Sequence, residues 1–153
     1  MIKYAHTNIV CRDWQVLSDF YIHTFDCRLK PPVRSQSGEW LSKGTGVQNA
    51  KLNGVHLLLP GYGEHGPTLE IFEYDAMEEQ EAISPKKRGF AHIAFEVDNV
   101  QEVLIQLETN GGQRNGQISQ HKVEGVGTIT FVYARDPEGN LIEIQHWDRA
   151  FTK

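Results

Sequence analysis

The chain repeats one order of hydrophobic and polar patterns. Residues 3–10 predict a strand, and Asp13 is expected to cap a helix because apolar side chains recur after it at helical spacing. Three more strand-like runs follow, at residues 28–33, 54–59 and 68–74. The first half therefore predicts a strand, a helix and three further strands.

The second half repeats this order. Residues 90–97 predict a strand, and Asp98 is expected to cap a helix that ends at Gly111-Gly112. Strands are then expected at residues 117–123, 127–134 and 141–147, the last of them after a strong turn signal at 136–140. Because such a repeat determines the fold class, the chain predicts an α+β fold of two tandem βαβββ modules.

We expect one domain over residues 1–153, with module 1 at about 1–76, a linker at about 77–88 and module 2 at about 89–149. Residues 35–46 are rich in Ser, Gly and Thr and predict a loop or ordered flap, and the strand before them is expected to stop near Pro31-Pro32. Between its first strand and its last, the first half has 13 residues more than the second, and this loop is the natural place for them.

Composition limits the classes of function. Hydrophobic content of 39% and charged content of 23% are typical of a soluble protein, and the apolar runs are too short to span a bilayer. A net charge of −5 argues against a nucleic-acid partner. Cys11 and Cys27 match neither a disulfide framework nor a zinc spacing, and the first residues resemble no signal or transit peptide. We therefore expect a cytoplasmic protein with reduced thiols and no membrane partner.

Each module has a His in its leading strand and a Glu in its trailing strand. The pairs are His6 with Glu70 and His92 with Glu143. Strand alternation places the aliphatic neighbours of each Glu toward the helices, so all four side chains are expected on the opposite side. A lone strand His or Glu is more often an ordinary polar residue. The matched placement in both modules favours a joint metal site, since two imidazoles and two carboxylates can hold a divalent ion and leave positions for a substrate.

The other histidines predict no chemistry. His56 lies in the strand at 54–59, where a structural histidine with satisfied hydrogen bonds is favoured over one that lines a cavity. Surface or turn positions are expected for the remaining four, His23, His65, His121 and His146.

The pattern of strand His, Asp-capped helix and trailing Glu, present twice, resembles the vicinal oxygen chelate superfamily. Residues 89–95 (GFAHIAF) and 136–143 (DPEGNLIE) are similar to the signatures of the family's second module, and the resemblance covers roughly residues 3–147. It implies that the two modules form an incomplete mixed β-barrel with flanking helices around one metal. The ligands that the resemblance implies are His6, Glu70, His92 and Glu143.

Within that superfamily the ligand set is similar to that of bacterial glyoxalase I, or lactoylglutathione lyase. Epimerases usually have Gln in place of Glu70, and the ring-cleaving dioxygenases use two His and one Glu. The resemblance implies a metal-dependent lyase or isomerase that abstracts a proton through a metal-chelated enediolate of a small vicinal-oxygen substrate. Either Glu70 or Glu143 is the implied base. The alternatives are an epimerase, an Fe(II) extradiol-type dioxygenase, or a non-catalytic protein that binds a small molecule such as an antibiotic.

The resemblance also implies one divalent ion per site and a homodimer. A nitrogen and oxygen ligand set suits Ni, Zn, Co, Mn or Fe and does not select among them. Glyoxalase I carries an Arg soon after its first His and an Asn soon after its first Glu, both serving glutathione. Here Arg12 lies six residues after His6 and no Asn closely follows Glu70, so the substrate stays open.

Overall fold

In the computed structural model, which describes residues 1–149, each half of the chain builds its own mixed sheet. The first unit is Met1–Gln80, with a four-stranded sheet, and the second unit begins at Glu81 and has a five-stranded sheet. The predicted α+β class with two βαβββ modules is confirmed.

The first unit begins with a strand and a helix, as predicted. Its elements are β1 (His6–Val10), α1 (Trp14–Phe25), β2 (Arg28–Ser37), α2 (Glu39–Thr45), β3 (Lys51–Leu58) and β4 (Thr68–Tyr74). The Asp13 carboxylate caps α1 by accepting hydrogen bonds from the backbone N–H groups of Gln15 and Val16. The apolar face of α1, including Leu17 and Tyr21, is fully buried, and α1 contacts β3 and β4.

The strand order in this sheet is β1-β4-β3-β2, with β1 parallel to β4 and the other pairs antiparallel. The first and last strands of the module are therefore neighbours. This topology places the strand that carries His6 beside the strand that carries Glu70.

The segment predicted as a loop at 35–46 is partly a strand and partly a helix. β2 continues past Pro31-Pro32 to Ser37, with a register shift against β3 between Lys30 and Arg34. Proline has no backbone N–H, so the ladder is interrupted there without ending the strand. The helix α2 follows, and Leu41, its buried residue, packs with Ala50 and Leu52. This helix occupies the longer connection of the first module.

The second unit repeats the order and adds one short strand. Its elements are β5 (His92–Glu96), α3 (Val100–Thr109), β6 (Gln113–Arg114), β7 (Ser119–Val123), β8 (Gly127–Arg135) and β9 (Leu141–Arg149). The sheet order is β5-β9-β8-β6, with β7 also paired to β8, and β5 runs parallel to β9. The N-cap of α3 is Asn99 and not the predicted Asp98, since the Asn99 side chain accepts a hydrogen bond from the Glu102 N–H.

The predicted turn before β9 is built around a buried carboxylate. Asp136 is 2% exposed, and its side chain accepts hydrogen bonds from the backbone N–H groups of Glu138 and Asn140 and from the Asn140 side-chain amide. These bonds fix the start of β9 and so the place of Glu143 two residues into the strand. Among residues 1–149, no helix is long and apolar enough to cross a membrane.

Candidate metal centre

In the first unit, His6 and Glu70 lie beside each other on neighbouring strands. The His6 Nε2 atom is 3.4 Å from the Glu70 Oε2 atom. Leu69 and Ile71, on either side of Glu70 in β4, are almost completely buried, which agrees with the predicted alternation. Glu70 is itself 8% exposed, whereas the His6 side chain is 45% exposed. The pair therefore consists of a buried carboxylate and an accessible imidazole.

The second unit contains the matching pair. The His92 Nε2 atom is 2.9 Å from the Glu143 Oε2 atom, and both side chains are partly exposed. Ile142 and Ile144 are fully buried on the opposite face of β9. The two modules therefore form the same contact with the same atom types, as the repeat predicts.

The spacing within each pair fits two ligands of one metal ion. Two donor atoms at adjacent positions of an octahedral ion, each about 2.1 Å from it, lie about 3 Å apart. The distances of 3.4 Å and 2.9 Å are close to that value. Each pair also provides one imidazole nitrogen and one carboxylate oxygen, a donor set that divalent ions of the first transition row accept.

The structure brings the four predicted residues together as two pairs, one in each unit. Within the described residues, 1–149, no group of three or more His, Cys, Asp or Glu side chains is arranged to hold a metal ion. The joint four-ligand site therefore stays a prediction.

His56 contacts a candidate metal ligand, which the sequence did not predict. Its Nε2 atom is 3.1 Å from the Glu70 Oε1 atom, and its Nδ1 atom is 3.4 Å from the Thr68 hydroxyl oxygen. His56 is thus hydrogen-bonded to Thr68 within its sheet, as expected, but it also contacts a candidate ligand. The signal for this contact is the β3–β4 register, in which His56 pairs directly with Glu70.

Burial and charge act in opposite directions on Glu70. Burial raises the pKa of the Glu70 carboxyl above its usual range, while the His6 and Arg34 charges and a hydrogen bond from the Asn8 side chain oppose that rise. Burial also lowers the pKa of His56 to about 4, helped by the positive charges of Arg34, His6 and Lys30. His56 is therefore a neutral imidazole near neutral pH.

An aromatic side chain lies beside the second pair. The Tyr133 ring lies 4.8 Å from the His92 ring, tilted by 44°, and the Phe131 ring lies 6.0 Å from that of Tyr133. Burial raises the pKa of the Tyr133 hydroxyl, and the nearby Glu143 charge adds to the rise. The tyrosine is thus a neutral hydroxyl beside the His92–Glu143 pair.

The other histidines lie away from these pairs or bond to backbone. His23 contacts the Asp19 carbonyl oxygen at 2.7 Å, and His146, half-buried in β9, contacts the Val97 carbonyl oxygen at 2.8 Å. His65 and His121 are exposed.

The chain is similar to known proteins in both sequence and structure. The sequence profile of the Glyoxalase/Bleomycin resistance protein/Dioxygenase superfamily matches residues 3–144. The chain belongs to this superfamily. The membership confirms the resemblance inferred from the two His and Glu pairs.

A curated lactoylglutathione lyase is a distant relative of the chain. Over 152 residues the chain is 24% identical to a lactoylglutathione lyase of Schizosaccharomyces pombe, a match that covers 93% of this chain and 46% of the relative. The chain therefore spans about half the length of that curated relative.

Solved structures show the same fold. A glyoxalase family protein from Bacillus cereus has a TM-score of 0.82 and 17% identity, covering 96% of this chain and 95% of its own. A glyoxalase/bleomycin resistance protein/dioxygenase family enzyme from Burkholderia phytofirmans PsJN has a TM-score of 0.60 and 14% identity, covering 94% and 97%. At these identities the likeness establishes the fold alone.

Proposed function

We propose that the protein is a metal-dependent lyase or isomerase of the glyoxalase I type. The observation that carries this proposal is the repeated contact between a His Nε2 and a Glu Oε2, at 3.4 Å in one unit and 2.9 Å in the other. The proposed metal ligands are His6, Glu70, His92 and Glu143, which together hold one divalent ion. The distant similarity to a lactoylglutathione lyase supports the same class of reaction.

The metal, when bound, supplies Lewis-acid stabilisation of the negative charge on two neighbouring oxygens of a small substrate. The protein supplies the proton transfer. A Glu70 oxygen accepts the carbon-bound proton and returns it to the adjacent carbon. Because burial raises its pKa, Glu70 is a stronger base than an exposed carboxylate. The neighbouring positive charge of Arg34 favours the ionised form that is needed to begin this step.

The presence of Glu70 beside His6 favours this class over the three-ligand dioxygenases, in which two His and one Glu leave more positions open. It also favours an enzyme over a binding protein without a metal set. We also propose a reducing, cytoplasmic compartment, since Cys11 and Cys27 are buried and are not joined in a disulfide.

Metal analysis of the purified protein tests the ligand set. We expect about one divalent ion per chain, and we expect His6→Ala and His92→Ala each to lose it at neutral pH because each removes one of four ligands. His23→Ala, which removes an exposed histidine of α1, is the matched control and should retain full occupancy. Full occupancy in both His6→Ala and His92→Ala would refute the assignment.

The activity is then tested with the metal-loaded protein and the hemithioacetal of methylglyoxal and glutathione. Turnover supports the glyoxalase I reaction itself. If the metal-loaded protein does not turn over this compound, the ligand set still stands and this substrate is excluded.

A further inference from the structure

The strands on either side of Glu70 both present polar side chains to it. In the sheet register, Asn8 of β1 and His56 of β3 pair directly with Glu70 of β4. Asn8 therefore lies beside Glu70 on one neighbouring strand, and on the other the His56 Nε2 atom lies 3.1 Å from the Glu70 Oε1 atom. The carboxylate is therefore held by its neighbours as well as by His6.

The second module lacks these partners at the matching positions. Ala94 of β5 and Tyr133 of β8 pair with Glu143 of β9. Ala94 has no side-chain hydrogen-bonding group, and the Tyr133 ring packs against the His92 ring at 4.8 Å. The two modules thus differ at the two cross-strand neighbours of each Glu. A histidine is one of these neighbours in the first module and not in the second.

The contacts of His56 define what its two ring nitrogens can do. A neutral imidazole has one N–H donor and one acceptor nitrogen. An ionised carboxylate accepts only, so the Nε2 atom, 3.1 Å from the Glu70 Oε1 atom, is placed to donate. The Thr68 hydroxyl, 3.4 Å from Nδ1, can then donate to the remaining nitrogen.

We propose that His56 is a positioning residue for Glu70. Its Nε2–H group holds Oε1, so that Oε2 alone is presented beside His6 Nε2 at 3.4 Å. This inference rests on the proposed function, in which Glu70 both binds the metal and accepts a proton. A buried carboxylate that leaves a metal without another partner is costly, and His56 with Asn8 gives Glu70 a hydrogen-bonded resting place.

The metal-free protein provides the first test. Long-range ¹H–¹⁵N correlation spectra of the histidine rings, near neutral pH, report which ring nitrogen carries the proton. We expect His56 to be the Nε2–H tautomer in the wild-type protein. In Glu70→Ala we expect the preference for this tautomer to be lost. An Nδ1–H tautomer in the wild type would overturn the proposal.

Co²⁺ binding provides the second test. His56→Leu removes the donor, and we expect it to weaken Co²⁺ affinity by about 10- to 100-fold, as loss of an outer-shell partner usually does, and to alter the visible Co²⁺ absorption spectrum. In His56→Gln a side-chain N–H can replace Nε2–H, so both properties should recover largely. His65→Leu, an exposed histidine in the same unit, is the control and should behave as wild type.

These measurements separate the two proposals. If the wild type binds no Co²⁺, the proposed function fails while the tautomer still decides the role of His56. If Co²⁺ binds and His56→Leu matches the wild type in affinity and spectrum, the positioning role is wrong and the ligand set stands. A folding failure of His56→Leu leaves the tautomer and His56→Gln to decide: an Nε2–H tautomer with near-wild-type Co²⁺ binding in His56→Gln supports the role.

Discussion

Glu70 and Glu143 occupy matching places but different surroundings. Glu70 is almost fully buried with two polar cross-strand neighbours, and Glu143 is partly exposed beside an aromatic one. We expect Glu70→Gln to retain its metal and to lose turnover by at least about 100-fold, the range for loss of a general base. Steady-state kinetics and metal analysis of Glu70→Gln beside Glu143→Gln measure both effects.

The comparison has two informative contrary outcomes. An active Glu70→Gln protein beside an inactive Glu143→Gln protein would reverse the two roles. Activity in both would end the proton-abstraction mechanism, since no carboxylate would then be required as a base.

The burial of Cys27 predicts a thiol of low reactivity. Its side chain is 1% exposed, and burial, with a smaller effect of the Asp26 charge, raises the pKa of the thiol to about 12. The reactive thiolate is therefore nearly absent at about pH 8. We expect the Cys27 peptide to remain unmodified by iodoacetamide in the native protein and to be modified in denaturant, as read by mass spectrometry. Native labelling as fast as in denaturant would contradict this.

Individual site residues could be predicted from the sequence where the two modules match. His6, Glu70, His92 and Glu143 were found because each has a counterpart in the other module. His56 has Tyr133 as its counterpart, so the repeat gave no signal for it. Its contact with Glu70 depends on strand register, which side-chain alternation alone does not specify.

Among the helices, α2 was the one that sequence patterns missed. It has seven residues and buries Leu41 alone, so no apolar face is visible in its sequence. Its residues include Gly44 and Ser42, which are weak helix formers. The packing of Leu41 against Ala50 and Leu52 stabilises the helix, and that contact is formed only in the folded unit.

Gly54 in β3 is expected to tolerate no side chain. A Cβ atom there would lie 2.0 Å from the Ile71 carbonyl oxygen and 2.7 Å from the Phe72 ring. We expect Gly54→Ala to reduce the free energy of unfolding by about 2–3 kcal/mol, because the backbone of β4 would have to move. Urea unfolding of the metal-free protein measures this change.

Gly44→Ala is the matched control. A Cβ at Gly44 in α2 meets nothing within 4 Å, so this variant should be more stable than wild type by about 0.5–1 kcal/mol through helix propensity. Equal stability of the two variants would show that β3 and β4 are less closely apposed than in this structure.

For the whole molecule we expect a homodimer. The strands β1 and β5 lie at the edges of their sheets, and large apolar side chains near them, such as Tyr4, Val10 and Phe90, are exposed in the single chain. Exposed edges and apolar side chains favour association with a second copy. Sedimentation equilibrium at micromolar concentration should give twice the chain mass of 17.4 kDa. A stable monomer with full metal content would exclude a site shared between subunits.

The repeat predicted the architecture of the molecule better than any single segment did. Two copies of one pattern predict two similar units regardless of errors at their ends, such as the Asn99 cap and the two-residue strand β6. The joint ligand set stays a prediction from the matched His and Glu positions and the family resemblance, since hydrophobic periodicity within one module has no information about the other.

The parallel pairing of the first and last strands in each module has a consequence for synthesis of the protein. His6 pairs with Thr68, and His92 with Leu141, so each sheet is completed by the strand that leaves the ribosome last. Closing such long loops is slow compared with forming local contacts. A nascent module therefore exposes its imidazole long before its carboxylate arrives. A site that needs all four proposed ligands would accordingly be complete only after β9 has been translated.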